Sequence, residues 1–152
     1  MGLYKYMHNA ASYLRLARWH LPLAGAALTA VLVVRVMLWL VPYRLVLRMV
    51  KPGHENLEHA GFGDLHWCHQ AAMAVEVAAR LVPKASCLTQ ALATLIVLKI
   101  HGESAKLVYG VRHDSRGHLQ AHAWLETREG VLIGQTSDLS TFQPMGNMEV
   151  RA

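Results

Sequence analysis

Hydrophobic positions crowd the first third of the chain and fall into regular periods afterwards. Residues 4–20 set Tyr13, Leu14, Leu16, Ala17 and Trp19 among basic residues, the pattern of a short amphipathic helix. Pro22 suits the first turn of a helix, so a second helix is expected to begin there. From Leu21 to Val41 the run is apolar apart from Thr29 and Arg35. It is about as long as the roughly 20 residues that cross a bilayer. Arg35 would be costly at depth. A hairpin of core helices covering the rest of the chain is therefore expected, with membrane attachment as the competing reading. The continuation from Pro42 to Arg48 is basic and amphipathic, as interfacial segments are.

Residues 51–63 are rich in turn formers and polar side chains and read as a linker. Asp64 can cap a helix from Leu65 to about Leu81, whose apolar stripe is Met73, Val77 and Leu81, with Cys68 packed mid-stripe. Pro83 stops it. A helix from Cys87 to His101 follows, apolar almost all round and so buried, with Gly102 as its stop. The period then changes from 3.6 to 2. Lys106 to Arg112, Leu119 to Thr127 and Val131 to Gln135 read as three strands, separated by turns at 113–117 and 128–130. Helices followed by an antiparallel meander make an α+β layout. It divides into an apolar, basic helical segment over 1–50 and a domain over 64–152.

Composition narrows the function. The 152 residues carry a net charge of +5 and are 53% hydrophobic, with the excess in the first 50. No Lys/Arg run is interleaved with aromatics, so a nucleic-acid groove is not expected. Two cysteines, Cys68 and Cys87, are too few for a disulfide scaffold and point to reduced thiols in the cytoplasm. No small-residue cleavage site leads from the apolar run into a mature domain, so a signal peptide is not expected. Gly2 does not complete a myristoylation motif, because position 6 is Tyr6.

The chemistry centres on Cys87. Ser86 is a good N-cap, so Cys87 opens its helix beside unpaired backbone amides and the positive end of the helix dipole. That environment favours thiolate over thiol. His122 lies on the second strand, on one face with Trp124 and Glu126, and is flanked by Ala121 and Ala123. A Cys at a helix start and a His on a following strand suit nucleophilic catalysis. A third group should orient the imidazole. The hairpin places residues 135–137 across from His122, so Gln135 is one candidate; Asp138 is the other and needs a bulge or register shift. Glu126 lies two strand steps away, which is less favourable. His66, Cys68 and His69 do not form a tetrahedral set on a helix, so no metal is expected. No phosphate-cradling loop follows Gly61-Phe62-Gly63.

Several runs together resemble a known family. They are Arg35 to Arg44, Ala79 to Leu92 with its Ser86-Cys87-Leu88-Thr89-Gln90, Tyr109-Gly110-Val111-Arg112, Ala121 to Glu126, and Phe142-Gln143-Pro144-Met145. They are similar to the lasso-peptide B-type leader peptidases, transglutaminase-like (papain-like) cysteine proteases related to the microcin-processing maturation protein. The resemblance implies that Cys87 attacks the bond between leader and core peptide, with His122 as general base and then acid. Members often carry an Asp on the strand after the His strand, where this chain reads Ile133 to Asp138. It implies the stand-alone protease form, with an apolar helical N-terminus in place of a fused winged-helix domain. Its partners would be the precursor peptide, a separate winged-helix leader-recognition protein and an asparagine-synthetase-like macrolactam cyclase. ATP would enter by family resemblance alone. The cytoplasm, against the inner face of the membrane where the apolar helix touches lipid, is the expected location.

Overall fold

A computed structural model describes residues 3–42, 45 and 64–150, with side chains between residues 21 and 145. The linker over 51–63 and most of the basic segment after Pro42 lie outside the described residues.

Helix α1 runs unbroken over Leu3–Leu40 with Pro22 inside it. The expected break at Pro22, and with it a helical hairpin before Val41, does not occur. Proline removes one amide donor and crowds the preceding turn, but leaves the remaining ladder available. Packing sustains the helix beyond it: Ala27, Ala30, Val31 and Val34 are buried in the core.

Helix α2 covers Leu65–Leu81, and the Asp64 side chain accepts from the Trp67 amide at 3.3 Å, satisfying a first-turn donor. Its buried face is Cys68, Ala71, Ala72, Val75, Ala78 and Ala79. Met73, Val77 and Leu81, expected to face the core, stand 65%, 58% and 71% exposed. Cys68 is thus buried on the alanine face, away from the Met73 stripe. Helix spacing depends on the side chains at the contact, so small alanines let α2 lie close to its neighbours.

Helix α3 covers Cys87–Ile100. Leu92, Leu95 and Leu98 are fully enclosed, as an apolar pattern on all sides requires. It ends in a Schellman motif: Gly102 adopts φ 82°, its amide donates to Lys99 O, and that of Glu103 donates to Leu98 O.

The sheet is antiparallel, in the order β3-β2-β1-β4, built from β1 (Ala105–His113), β2 (Leu119–Thr127), β3 (Gly130–Ile133) and β4 (Gln143–Val150). The first three form the expected meander. β4 was not apparent from the pattern, because Pro144 and Gly146 break the alternation. It pairs as an edge strand beside β1, and Pro144 lies next to a register shift at Tyr109/Gly110, a position where proline is tolerated. To reach that edge from β3, residues 134–142 cross to the other side of the sheet by way of a 3₁₀ turn, Leu139–Thr141.

Ala105, Leu107, Ala123 and Leu125 join the core shared with the helices. Side chains alternate along a strand, so Val108, Gly110, His122 and Trp124 stand on the opposite face. The two faces separate the candidate residues.

Candidate active site

The segment entering α3 is tightly specified. Ser86 has extended backbone angles, and its Oγ accepts from the Thr89 amide at 3.3 Å. The Gln90 amide donates to Ser86 O at 3.0 Å. The Cys87 and Leu88 amides, in the first turn, have no intrahelical acceptor. Cys87 is half-buried at the edge of the core. Upstream, Lys84 holds φ 59°, a left-handed conformation that is costly for a residue with a Cβ. Arg35 Nε donates to Pro83 O at 3.3 Å and ties this loop to α1.

The other cysteine is chemically different. Burial, with Glu103 and Asp64 nearby, pushes the Cys68 thiol up to about 11. It is a core group at neutral pH.

His122 is held from the far side of the sheet. Its Nε2 bonds Gly134 O at 2.7 Å. Its ring lies 5.3 Å from that of Phe142 and 6.0 Å from that of Trp124, centroid to centroid. The Trp124 indole donates to Glu126 Oε1 at 2.8 Å, so Glu126 steadies Trp124 rather than the histidine. Donation of Nε2–H to a carbonyl fixes the tautomer that leaves Nδ1 as the base.

Gly134 makes that bond possible. The β2–β3 ladder ends at Leu125 opposite Ile133, and Gly134 turns out of it at φ 87°. A Cβ there would come within 2.9 Å of Ala123 O and of Trp124 Cβ. Across β2, Gly110 pairs with His122 and lies beneath Trp124 and Phe142, where a Cβ would meet each at 3.2 Å.

Neither candidate third side chain hydrogen-bonds to His122. Asp138 forms an ion pair with Arg112, and the guanidinium holds its carboxyl below the usual carboxylate range. Arg112 also donates to Gln120 Oε1 at 2.9 Å and to Thr141 Oγ1 at 3.0 Å, and its guanidinium lies 4.5 Å from the Phe142 ring centroid. Asp138 therefore fastens the crossover that carries Gly134 and Phe142. Gln135 makes no bond to the imidazole. The group on Nε2 is a backbone carbonyl, which no residue type in the sequence announces.

Cys87 and His122 are not hydrogen-bonded to each other, and the lengths of their elements set them at comparable distances from the α3–β1 connection. Four residues separate α3 from β1, so the chain doubles back. A 14-residue helix returns about 21 Å at 1.5 Å per residue. Gly110, the partner of His122, lies about 17 Å along β1 at 3.3 Å per residue. Helical cover stops near there: Ala123 is buried and Ala121 is exposed. Among the described residues, no group of three or more His, Cys, Asp or Glu gathers to hold a metal.

Searches of curated proteins and of solved structures return no match. Residues 27–147 match the family described as the transglutaminase-like superfamily. That span takes in the packed half of α1, the capped Cys87 helix and the His122 strand. On that match, and on its α+β arrangement of helices over an antiparallel sheet, the chain belongs to the transglutaminase-like superfamily, which includes cysteine proteases and acyltransferases.

Proposed function

We propose that the protein is a cysteine endopeptidase that removes the leader from a ribosomally made lasso-peptide precursor. The observation carrying this reading is Cys87 as the first residue of a Ser86-capped helix, in a chain that belongs to the transglutaminase-like superfamily. The runs resembling lasso leader peptidases supply the substrate class.

In this reading, the substrate complex brings together the Cys87 sulfur and Nδ1 of His122, which here belong to opposite faces of the sheet and share no hydrogen bond. His122 takes the thiol proton, and sulfur attacks the scissile carbonyl carbon. Amides of the first turn of α3 receive the oxyanion. The C–N bond breaks, and the imidazolium gives its proton to the departing amine. Water then attacks the thioester with His122 as base, and the freed thiolate regains the proton. Gly134 O accepts from Nε2–H in both the neutral and the protonated ring.

A leader-recognition protein would deliver the precursor, and an ATP-dependent macrolactam cyclase would take the freed core. The test is to incubate the protein with precursor peptide, leader-binding partner and ATP, then weigh the products. Two fragments whose masses sum to precursor plus one water are expected, and the Cys87→Ala variant should give none. An amine-linked product would instead identify an acyltransferase acting through the same thioester. Wild-type cleavage by Cys87→Ala would overturn both.

A further inference from the structure

The chain's positive charge and one exposed apolar helix face fall in the same region. Seven of the fifteen Lys/Arg residues and none of the ten Asp/Glu residues precede position 55. The first 54 residues therefore carry +7, and the remaining 98 carry −2. That basic stretch contains the Leu21–Leu40 part of α1, which is long and apolar enough to cross a membrane.

Packing decides how such a helix can meet lipid. Ala27, Ala30, Val31 and Val34 are buried against α2 and α3, so one face is already committed to protein. The opposite face carries Leu32, Val33, Val36 and Trp39, the last 79% exposed. Arg35, the one charge in the stretch, is drawn aside by its bond to Pro83 O. Beside this face an open groove of about 350 Å³ between α1 and α3 is lined by Ala26, Ala30, Val33, Ile96, Val97 and Ile100, with Thr29 and His101 as its polar groups.

A transmembrane placement would carry α2 into hydrocarbon together with its exposed His66, His69, Glu76 and Arg80, at a high cost. An in-plane placement buries only the apolar face. Lys5, Arg15 and Arg18 before the stretch and Arg44, Arg48 and Lys51 after it match the negative charge of anionic headgroups. A second copy of this chain would oppose like charge to like.

We infer that the outer face of α1 lies in the interfacial plane of an anionic lipid bilayer, holding the domain at the membrane surface. This inference stands apart from the peptidase reading, because it uses neither Cys87 nor His122.

The test is vesicle flotation of the full chain with phosphatidylcholine alone and with added phosphatidylglycerol. Strong flotation is expected only with the anionic vesicles. The double variant Val36→Gln/Trp39→Gln should float about tenfold less, with an unchanged melting temperature and an unchanged rate of Cys87 alkylation. Arg44→Gln/Arg48→Gln should lower binding to anionic vesicles selectively. If Val36→Gln/Trp39→Gln unfolds, Leu32→Gln alone carries the apolar test. Absence of wild-type flotation, or flotation equal in the apolar-face variants, would overturn the inference. So would a dimer in light scattering that these substitutions dissolve while neither form floats.

Discussion

The Nε of Arg35, on α1, donates to the carbonyl of Pro83, 48 residues further along the chain. Pro83 precedes the left-handed Lys84, and Ser86 and Cys87 follow within four residues. The bond pins the entry to the Cys87 helix from outside it. Methionine at 35 keeps much of the stem and loses the donor. Its net cost in stability should be about 1 kcal/mol, while misplacement of the thiol can lower turnover by about 10²-fold. We expect Arg35→Met to lower precursor cleavage and slow Cys87 alkylation with a small change in melting temperature. An unaltered alkylation rate would mean that the loop holds itself.

The two cysteines should separate cleanly by reagent. Cys68 is buried and its thiol is pushed up to about 11, whereas Cys87 is half-buried at a helix start. At pH 7.5, limited iodoacetamide should label Cys87 and leave Cys68 unlabelled until the protein is denatured, as peptide mapping would show. The sign of the pH effect follows. A thiol raised in the folded state contributes its stability fully below the unfolded value near 9 and loses it as pH rises towards about 11. The melting-temperature advantage of wild type over Cys68→Ala should therefore shrink between pH 8.5 and 11.

Gly134 offers a sharper test of the imidazole's orientation than any charged residue. Alanine there meets Ala123 O and Trp124 Cβ at 2.9 Å and must adopt φ 87°. The carbonyl that holds His122 Nε2 would move. Cleavage should fall by about 10²-fold, and the chemical shifts of the His122 ring should change. Cys87 alkylation without substrate should stay within about twofold, because a Cβ at Gly134 would press on Ala123 and Trp124 of β2. Equal losses in alkylation and cleavage would point to a general unfolding instead.

Legibility in the sequence followed the kind of signal each feature leaves. Ser86 and Cys87 were readable because capping is local chemistry carried by residue type. The strands through Tyr109 and His122 were readable because alternation survives in both. The buried face of α2 was not: periodicity weighs Met73, Val77 and Leu81 as apolar, whereas close helix packing selected Ala71, Ala72, Ala78 and Ala79. β4 hid behind Pro144 and Gly146, which an edge strand with a register shift tolerates. The partner of His122 was hidden for a deeper reason. A search for side chains weighs Gln135 and Asp138, while the bond goes to a main-chain oxygen freed by the left-handed turn of Gly134.

Asp138 remains open to a direct experiment, because its pairing with Arg112 gives it a structural role that can be separated from catalysis. The Arg112 guanidinium holds the Asp138 carboxyl below its ordinary value, so the ion pair's contribution is complete above the usual range near 3.8. It is lost only as pH falls through the depressed folded value. Asp138→Asn keeps the shape and removes the charge at a half-buried, solvent-screened site, so its thermal cost should be small at neutral pH and vanish in strong acid. If Asp138 serves only to fasten the crossover, Asp138→Asn should lower cleavage modestly and no more than Arg112→Gln, which also loses the bonds to Gln120 and Thr141. The double variant should then be no worse than Arg112→Gln alone, because Asp138 acts through its pair with Arg112. If the carboxylate reaches His122 once substrate is bound, Asp138→Asn should cost far more than Arg112→Gln and should change the pH profile of cleavage. A kcat/KM profile of the three variants from pH 5 to 9 distinguishes the outcomes, and the anchoring role predicts parallel curves.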